Sequence, residues 1–187
     1  MHEEQSGPEV RSAEEFARVE DGFERLWTPH RMAYVQGERP SADAGDGCPF
    51  CAAPAAGDDE GKLIVHRGEH CYVIMNLFPY NPGHLLVCPY RHVPLYVDLD
   101  DAELAEFTAL TRAAIHTLQK ASSPHGFNLG MNQGAVAGAG VAAHLHQHVV
   151  PRWGGDMNFL PIVAQTKALP VLLEDTRKLL VEAWPGE

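Results

Sequence analysis

Three histidines stand at every second position late in the chain, at His144, His146 and His148. The β-branched pair Val149 and Val150 follows them, and this pattern is typical of a β-strand. A helix would spread residues i, i+2 and i+4 around its circumference. A strand instead puts all three imidazoles on one face, roughly 6–7 Å apart. The spacing therefore predicts one site that the three rings serve in different roles.

A glycine-rich segment lies immediately before these histidines, over residues 130–140. Glycines let backbone N–H groups come close to a ligand, as phosphate oxygens require. A neutral imidazole can attack a phosphoryl group if one ring nitrogen is unprotonated and the other is held as a donor. The combination favours nucleophilic attack on phosphorus over the two alternatives, a purely structural triplet and a metal site.

The pattern His-φ-His-φ-His-φ-φ, in which φ is apolar, resembles the signature of the histidine triad (HIT) family. Leu145 matches an apolar position, while Gln147 departs from the signature and leaves the histidine spacing intact. The block His84–Val93 also resembles the family, and the resemblance covers about residues 48–153. Within the family the chain is most similar to actinobacterial-type diadenosine tetraphosphate phosphorylases, on the segments Asn76–His84, Pro124–Asn128 and His148–Asp156.

The resemblance implies a role for each histidine. His146 matches the nucleophile that becomes nucleotidylated at the α-phosphate. His148 would hydrogen-bond phosphate oxygens or the bridging oxygen and help the leaving group depart. His144 completes the catalytic set, either as a metal ligand or in a hydrogen-bond chain behind the nucleophile.

The resemblance also implies the residues that hold the nucleotide. Asn76 corresponds to the ribose-binding position, although an Asn beside a turn often serves only the turn. Either Asn132 or Gln133 corresponds to an amide that contacts phosphate. The loop residues that would donate backbone N–H groups to the phosphate are Gly138, Ala139, Gly140 and Val141. Many relatives carry a hydroxyl near Val141, so backbone contacts must carry more of the binding here.

A CxxC motif, Cys48 to Cys51, precedes this part of the chain. Alone it could be a redox pair, a zinc knuckle or core filling, and no strand-then-helix pattern of a thioredoxin-like site follows it. Zinc-bearing relatives draw ligands from the positions of Cys48, Cys51, His92 and His144. The resemblance therefore implies a structural Zn²⁺ with these four ligands.

Two arginines, Arg91 and Arg152, stand close to the motifs. A guanidinium forks well onto a phosphate, so either arginine could reach a distal phosphate of the substrate. The alternative is a solvated arginine, which is the more common case.

The whole chain limits the class of protein. It has 187 residues, 45% of them hydrophobic, and a formal net charge of −11. The charge argues against a nucleic-acid polymer as partner, because binding that backbone requires a basic surface. There is no membrane-length apolar run and no signal peptide at the start, so we expect a cytoplasmic protein. In that setting the four cysteines are thiols or metal ligands.

Local signals divide the chain into a leader, residues 1–47, and a HIT-like domain with a C-terminal helix, residues 48–187. In the leader, Ser12 opens a predicted helix that ends near Trp27. In the domain, residues 52–61 are predicted as a surface loop, and Asp100 caps a helix that ends near Ala121 with His116 solvated. Strands are predicted at Leu63–His66, Cys71–Asn76, His84–Pro89 and from Phe127, with a last helix opened by Pro170.

The expected fold is α+β: a mostly antiparallel sheet of about five strands with a long helix packed on it and helical additions at both ends. The resemblance implies a homodimer. It also implies nucleotidyl transfer from diadenosine tetraphosphate to orthophosphate through a nucleotidyl-histidine, giving ATP and ADP. The alternatives are a HIT-type hydrolase of dinucleoside polyphosphates or nucleoside phosphoramidates, and a non-catalytic nucleotide-binding module.

Overall fold

The computed structural model describes residues 47–156 and 172–186. Two short 3-10 turns, Tyr96–Asp98 and Ala135–Ala137, lie in the connections between the regular elements. The helices are Pro49–Ala55 (α1), Asp101–Ser122 (α2) and Leu173–Ala183 (α3). The strands are Ile64–Arg67 (β1), Cys71–Met75 (β2), Leu85–Pro89 (β3), Gly126–Gly130 (β4) and Gln147–Arg152 (β5).

The five strands form one sheet in the order β1-β2-β3-β5-β4, and every neighbouring pair is antiparallel. This confirms the α+β fold and the strand count expected from the sequence. The register pairs Leu86 of β3 with His148 of β5. Residue 84 lies two positions before Leu86, so its side chain is on the same face as His148 and diagonal to it.

The long helix α2 covers one face of the sheet. Its start is confirmed, because Asp100 accepts a hydrogen bond from the Glu103 N–H and Glu103 reaches back to the Asp100 N–H. His116 is exposed, also as expected. The residues that α2 buries against Val73, Leu85, Val87 and Val149 of the sheet are Phe107, Leu110, Ala114 and Leu118.

The opposite face of the sheet is covered by α1, and here the sequence prediction is wrong. Residues 52–55 were expected in a surface loop but belong to this helix, which buries Ala53. Pro54 within the helix has no N–H to donate to the carbonyl of Phe50, four residues earlier. The buried Tyr72 hydroxyl donates to that carbonyl instead, at 2.6 Å. Contacts from β2 therefore allow a helix that local signals do not predict.

Two further boundaries differ from the prediction. The strand of the triad begins at Gln147, so His144 and His146 precede it, and it continues through Arg152, where a turn was expected. Helix α3 begins at Leu173 rather than near Pro170, which lies outside the described residues. Of the packing residues proposed for this last helix, Leu180 is buried, Leu173 is partly buried against the core and Trp184 stacks on His66, but Leu172 and Leu179 are exposed.

The predicted leader helix, from Ser12 to Trp27, lies outside the described residues, and the division at residue 47 stays a prediction. Cys71 and Cys88 are fully buried in the strands, as expected. None of the helices in the described part of the chain has the length and apolar character that crossing a membrane requires.

Glu106 of α2 anchors the β1–β2 turn, and we expect its removal to destabilise the fold. Its carboxylate accepts the backbone N–H groups of Glu69, His70 and Cys71 at 2.8, 2.6 and 2.6 Å. Partial burial raises the pKa of Glu106, but the three N–H groups outweigh that effect and the pKa is lowered. Glu106→Gln should cost about 2 kcal/mol of unfolding free energy at pH 7, measured by urea denaturation.

The loss should depend on pH. A carboxyl with a lowered pKa in the folded state contributes stability above its unfolded pKa of about 4.3 and loses it as pH falls further. The cost of Glu106→Gln should therefore shrink between pH 6 and pH 3. The matched control is Glu182→Gln at an exposed position of α3, which should change the unfolding free energy by less than about 0.5 kcal/mol. An equal cost at both pH values would contradict the assigned role.

Candidate active site and metal cluster

His146 lies at the centre of the candidate site and is 5% exposed. Its Nδ1 is 2.8 Å from the backbone carbonyl oxygen of His144. Since a carbonyl only accepts, Nδ1 carries the ring proton and Nε2 has the lone pair. Burial lowers the pKa of His146, although the bond to the His144 carbonyl works in the opposite direction. The ring is therefore neutral, and the lone pair of its Nε2 has the chemistry that nucleophilic attack requires at neutral pH.

His148 lies beside His146, with ring centroids 5.1 Å apart, and its protonation follows from a chain of hydrogen bonds. The backbone N–H of Tyr80 donates to His84 Nδ1 at 3.1 Å. His84 must then carry its proton on Nε2, and that group donates to His148 Nδ1 at 2.9 Å. The proton of His148 is consequently on Nε2, so this ring presents a donor where His146 presents a lone pair.

Sequence reasoning did not give His84 a role. The side chain reaches His148 because β3 and β5 are neighbours, and a single sequence does not reveal that pairing. The aromatic ring of Phe50 was also missed. It packs on His146 at a centroid distance of 4.8 Å and meets His144 edge-on at 5.6 Å. The first turn of α1 thus contributes one wall of the site.

A second cluster is formed by Cys48, Cys51, His92 and His144, whose ligand atoms all lie within 4.8 Å of one another. His144 Nε2 lies 2.9 Å from the carbonyl of Pro89, so it carries the proton and Nδ1 has the lone pair. That Nδ1 is 3.4 Å from both cysteine Sγ atoms. Zinc–sulfur and zinc–nitrogen bonds at tetrahedral angles would separate such atoms by roughly 3.5 Å. The four residues therefore fit a tetrahedral metal ion.

The Cys51 thiol of this cluster is held neutral in the absence of a cation. Burial is the first cause that raises the pKa of Cys51, to about 11, and the neighbouring Cys48 adds to it. Burial likewise lowers the pKa of His144 to about 4. A neutral imidazole with its lone pair toward two thiols is the arrangement that a divalent metal ion completes by displacing the thiol protons.

The remaining predicted residues are placed around the histidines. Asn76 Oδ1 accepts the Phe78 N–H at 3.0 Å, and its Nδ2 is 3.3 Å from His84 Nδ1, so its amide holds the loop before β3. Gln133 Oε1 accepts the Tyr96 N–H at 2.7 Å, while Asn132 lines a cavity beside His148. The residues Gly138, Ala139, Gly140 and Val141 form the turn between the 3-10 segment at 135–137 and His144.

The two candidate arginines are engaged with carboxylates. Arg91 forms a salt bridge with Glu103, at the N-terminus of α2. Arg152 donates to both carboxylate oxygens of Asp156, at 2.6 and 3.0 Å, and it lines the same cavity as His148. Arg152 thus shares a cavity with a triad histidine.

Comparison with known proteins agrees with the sequence and the fold. A model of the HIT domain matches residues 59–155. The AP-4-A phosphorylase of Mycobacterium tuberculosis is 49% identical over 168 residues, which are 88% of this chain and 86% of that protein.

Two solved structures share the fold. A histidine triad nucleotide-binding protein from Sulfolobus tokodaii is 28% identical, with a TM-score of 0.60. A Zn-bound histidine triad family protein from Mycobacterium smegmatis is 26% identical, with a TM-score of 0.58. Each alignment covers 73% of this chain and 91% of the other. With its triad, its sheet and these similarities, the chain belongs to the HIT family.

Proposed function

We propose that the protein is a phosphorylase that transfers the adenylyl group of diadenosine tetraphosphate to orthophosphate, giving ATP and ADP. The observation that carries the proposal is the buried, neutral His146, whose Nδ1 is held by the His144 carbonyl and whose Nε2 has the lone pair. The similarity to the mycobacterial AP-4-A phosphorylase over most of both chains supports the choice of substrate.

In the first step His146 Nε2 attacks the α-phosphorus of one adenylyl group. A nitrogen–phosphorus bond forms as the bond to the bridging oxygen breaks, and the electron pair leaves with ATP. The Nε2–H of His148 would donate a hydrogen bond to the oxygen on which charge develops. No proton needs to be removed from His146, because its only ring proton is on Nδ1.

The adenylylated His146 is an imidazolium, since Nε2 bonds to phosphorus while Nδ1 keeps its proton. The His144 carbonyl accepts that proton's hydrogen bond at 2.8 Å and stabilises the positive ring. An orthophosphate oxygen then attacks the same phosphorus, the phosphorus–nitrogen bond breaks and its electron pair returns to Nε2. ADP is released and the neutral ring is restored.

Phosphate and ribose contacts come from residues near these rings. We propose that Asn132, rather than Gln133, contacts phosphate, because Asn132 lines the cavity of His148 and Gln133 is bound to the Tyr96 backbone. The backbone N–H groups of Gly138, Ala139, Gly140 and Val141 would stabilise charge on phosphorus. Asn76 would bind the ribose hydroxyls while its amide holds the loop before β3.

We also propose that Cys48, Cys51, His92 and His144 hold a structural Zn²⁺, with support from the fit of the four donors. Such an ion would tie the start of α1, with Cys48 and Cys51, to His144. Through Phe50 and the His144 carbonyl, both next to His146, it would fix the orientation of the nucleophile. A homodimer and a cytoplasmic location remain part of the proposal as expectations from the resemblance.

Product analysis tests the function. The full chain is incubated with diadenosine tetraphosphate, with and without ¹⁸O-labelled orthophosphate, and the nucleotides are separated and weighed by mass spectrometry. We expect equal amounts of ATP and ADP only when phosphate is present, with the label in ADP. AMP plus ATP in the absence of orthophosphate would show a hydrolase instead. Binding without any product, under either condition, would leave the binding-module alternative.

His84 should act as a positioning residue. His84→Phe removes the donor to His148 Nδ1 and lets the His148 proton move to the wrong nitrogen. We expect kcat to fall about 100-fold, with KM changed by less than about threefold. His84→Gln, which can place an amide N–H near the same point, should recover part of kcat. Equal kcat values for His84→Phe and the wild type would contradict a role of the hydrogen bond from His84 to His148.

A further inference from the structure

We infer that the cavity between Tyr80 and strands β4 and β5 binds the second nucleoside of the substrate, whose base stacks on the exposed face of Tyr80. The inference rests on the proposed function and extends it to the part of the substrate that leaves with ATP. His148 and Asn132, at one end of the cavity, serve the phosphates in the proposed reaction, and the inference concerns the space beyond them.

The cavity begins at His148, the proposed hydrogen-bond donor to the leaving oxygen. It has a volume of about 430 Å³ and is lined by His148, Val150 and Arg152 along β5. These residues share one face of the strand, and the first and last are roughly 13 Å apart. In the proposed reaction, the three phosphates of the leaving ATP depart from the α-phosphorus beside His148. A second nucleoside tethered to them by three phosphates can reach the far end of this space.

Tyr80 supplies a fixed aromatic surface in this space. Its ring packs on His84 at a centroid distance of 4.8 Å and lies nearly parallel to His148, at 5.7 Å and 19°. The side chain is nevertheless 46% exposed. One face of the ring is therefore covered by the two histidines, and the other is available to a planar ligand. Stacking on a ring that is already ordered costs little entropy.

The other walls suit a base better than a phosphate. Leu129, Met131 and Val150 are apolar, and amide groups of asparagines complete the lining. Among the described residues that line the cavity, Arg152 is the cation, and both oxygens of Asp156 are bound to it. The hydrogen bond from Arg152 keeps the pKa of Asp156 below its usual range, so the carboxylate stays charged and neutralises the guanidinium. An uncharged purine matches these walls.

The test compares a substrate that has the second nucleoside with one in which a free terminal phosphate replaces it. Diadenosine tetraphosphate and adenosine 5′-tetraphosphate present the same adenylyl group and phosphate chain. We expect the wild type to prefer the dinucleoside by about tenfold in kcat/KM, the size that base stacking on an aromatic side chain predicts. Tyr80→Leu should reduce that preference to about one, and Tyr80→Phe should keep it.

The ratio of the two kcat/KM values separates base stacking on Tyr80 from effects on the hydrogen bond between His84 and His148. A change transmitted through His148 would slow both substrates equally and leave the ratio unaltered. The matched control is Phe78→Leu, since Phe78 is 74% exposed on the same loop and does not line the cavity. It should leave the ratio unchanged.

Two outcomes overturn the inference while phosphorolysis of diadenosine tetraphosphate still stands. One is a wild type without preference, and the other is a Tyr80→Leu variant that keeps the wild-type ratio. Absence of turnover with diadenosine tetraphosphate would instead overturn the proposed function, and the inference with it.

Discussion

Replacing His146 with asparagine is expected to lower the rate of ATP formation from diadenosine tetraphosphate by at least about 10⁴-fold. Asparagine keeps a donor for the His144 carbonyl but has no lone pair that can attack phosphorus. The covalent intermediate then cannot form, because the variant has no nucleophile in the place of Nε2. The rate is measured as ATP released per enzyme in the presence of excess orthophosphate.

The same variant should lose the covalent intermediate. Wild type incubated without phosphate should gain one adenylyl group, seen as a mass increase of the intact protein and located on residue 146 by peptide mapping. His146→Asn should gain none while it still binds the nucleotide. The matched control is His116→Asn on the exposed face of α2, which should keep the wild-type rate. An adduct on another residue would reassign the nucleophile.

Loss of one cysteine ligand is expected to remove the metal ion and much of the stability. Cys48 is fully buried beside His144, and a single serine there leaves a cluster with too few soft ligands for zinc. We expect wild type to bind about one zinc per chain and Cys48→Ser almost none, measured by elemental analysis after dialysis. The thermal midpoint should fall by about 10 °C, because metal binding contributes directly to folding.

A buried cysteine outside the cluster gives the control. Cys88 is fully buried in β3 but is not one of the four ligands. Cys88→Ala should therefore keep the full zinc content, whatever it does to stability. Chelator treatment of wild type should reproduce the lower midpoint of Cys48→Ser and leave that variant unchanged. Equal zinc contents in wild type and Cys48→Ser would contradict the metal assignment.

The sequence was sufficient where local signals decide the structure. The capping pair Asp100 and Glu103 predicts the start of α2, and its apolar spacing predicts the buried face. The strands β1 to β4 follow from short apolar runs between turns. The composition of the metal cluster was foreseen only through family resemblance, because its cysteines and histidines come from positions as far apart as 48 and 144.

Features that depend on contacts between distant elements were not predictable. Helix α1 forms although Pro54 disfavours it, since Tyr72 of β2 supplies the missing donor. The link from His84 to His148 depends on the pairing of β3 with β5, and Gln133 is drawn to Tyr96 by a hydrogen bond across 37 residues. In each case the deciding partner lies on another element, so its effect cannot be read from the residues nearby.

The hydrogen-bond chain behind His148 runs through His84 to the main-chain N–H of Tyr80. A backbone amide neither titrates nor changes with the side chain, so the position of the His148 proton is insensitive to most substitutions at residue 80. Proline is the exception, because it alone lacks the N–H. For the position of the His148 proton, residue 80 is therefore expected to tolerate any amino acid except proline, whereas the stacking inferred for the second nucleoside requires an aromatic ring there.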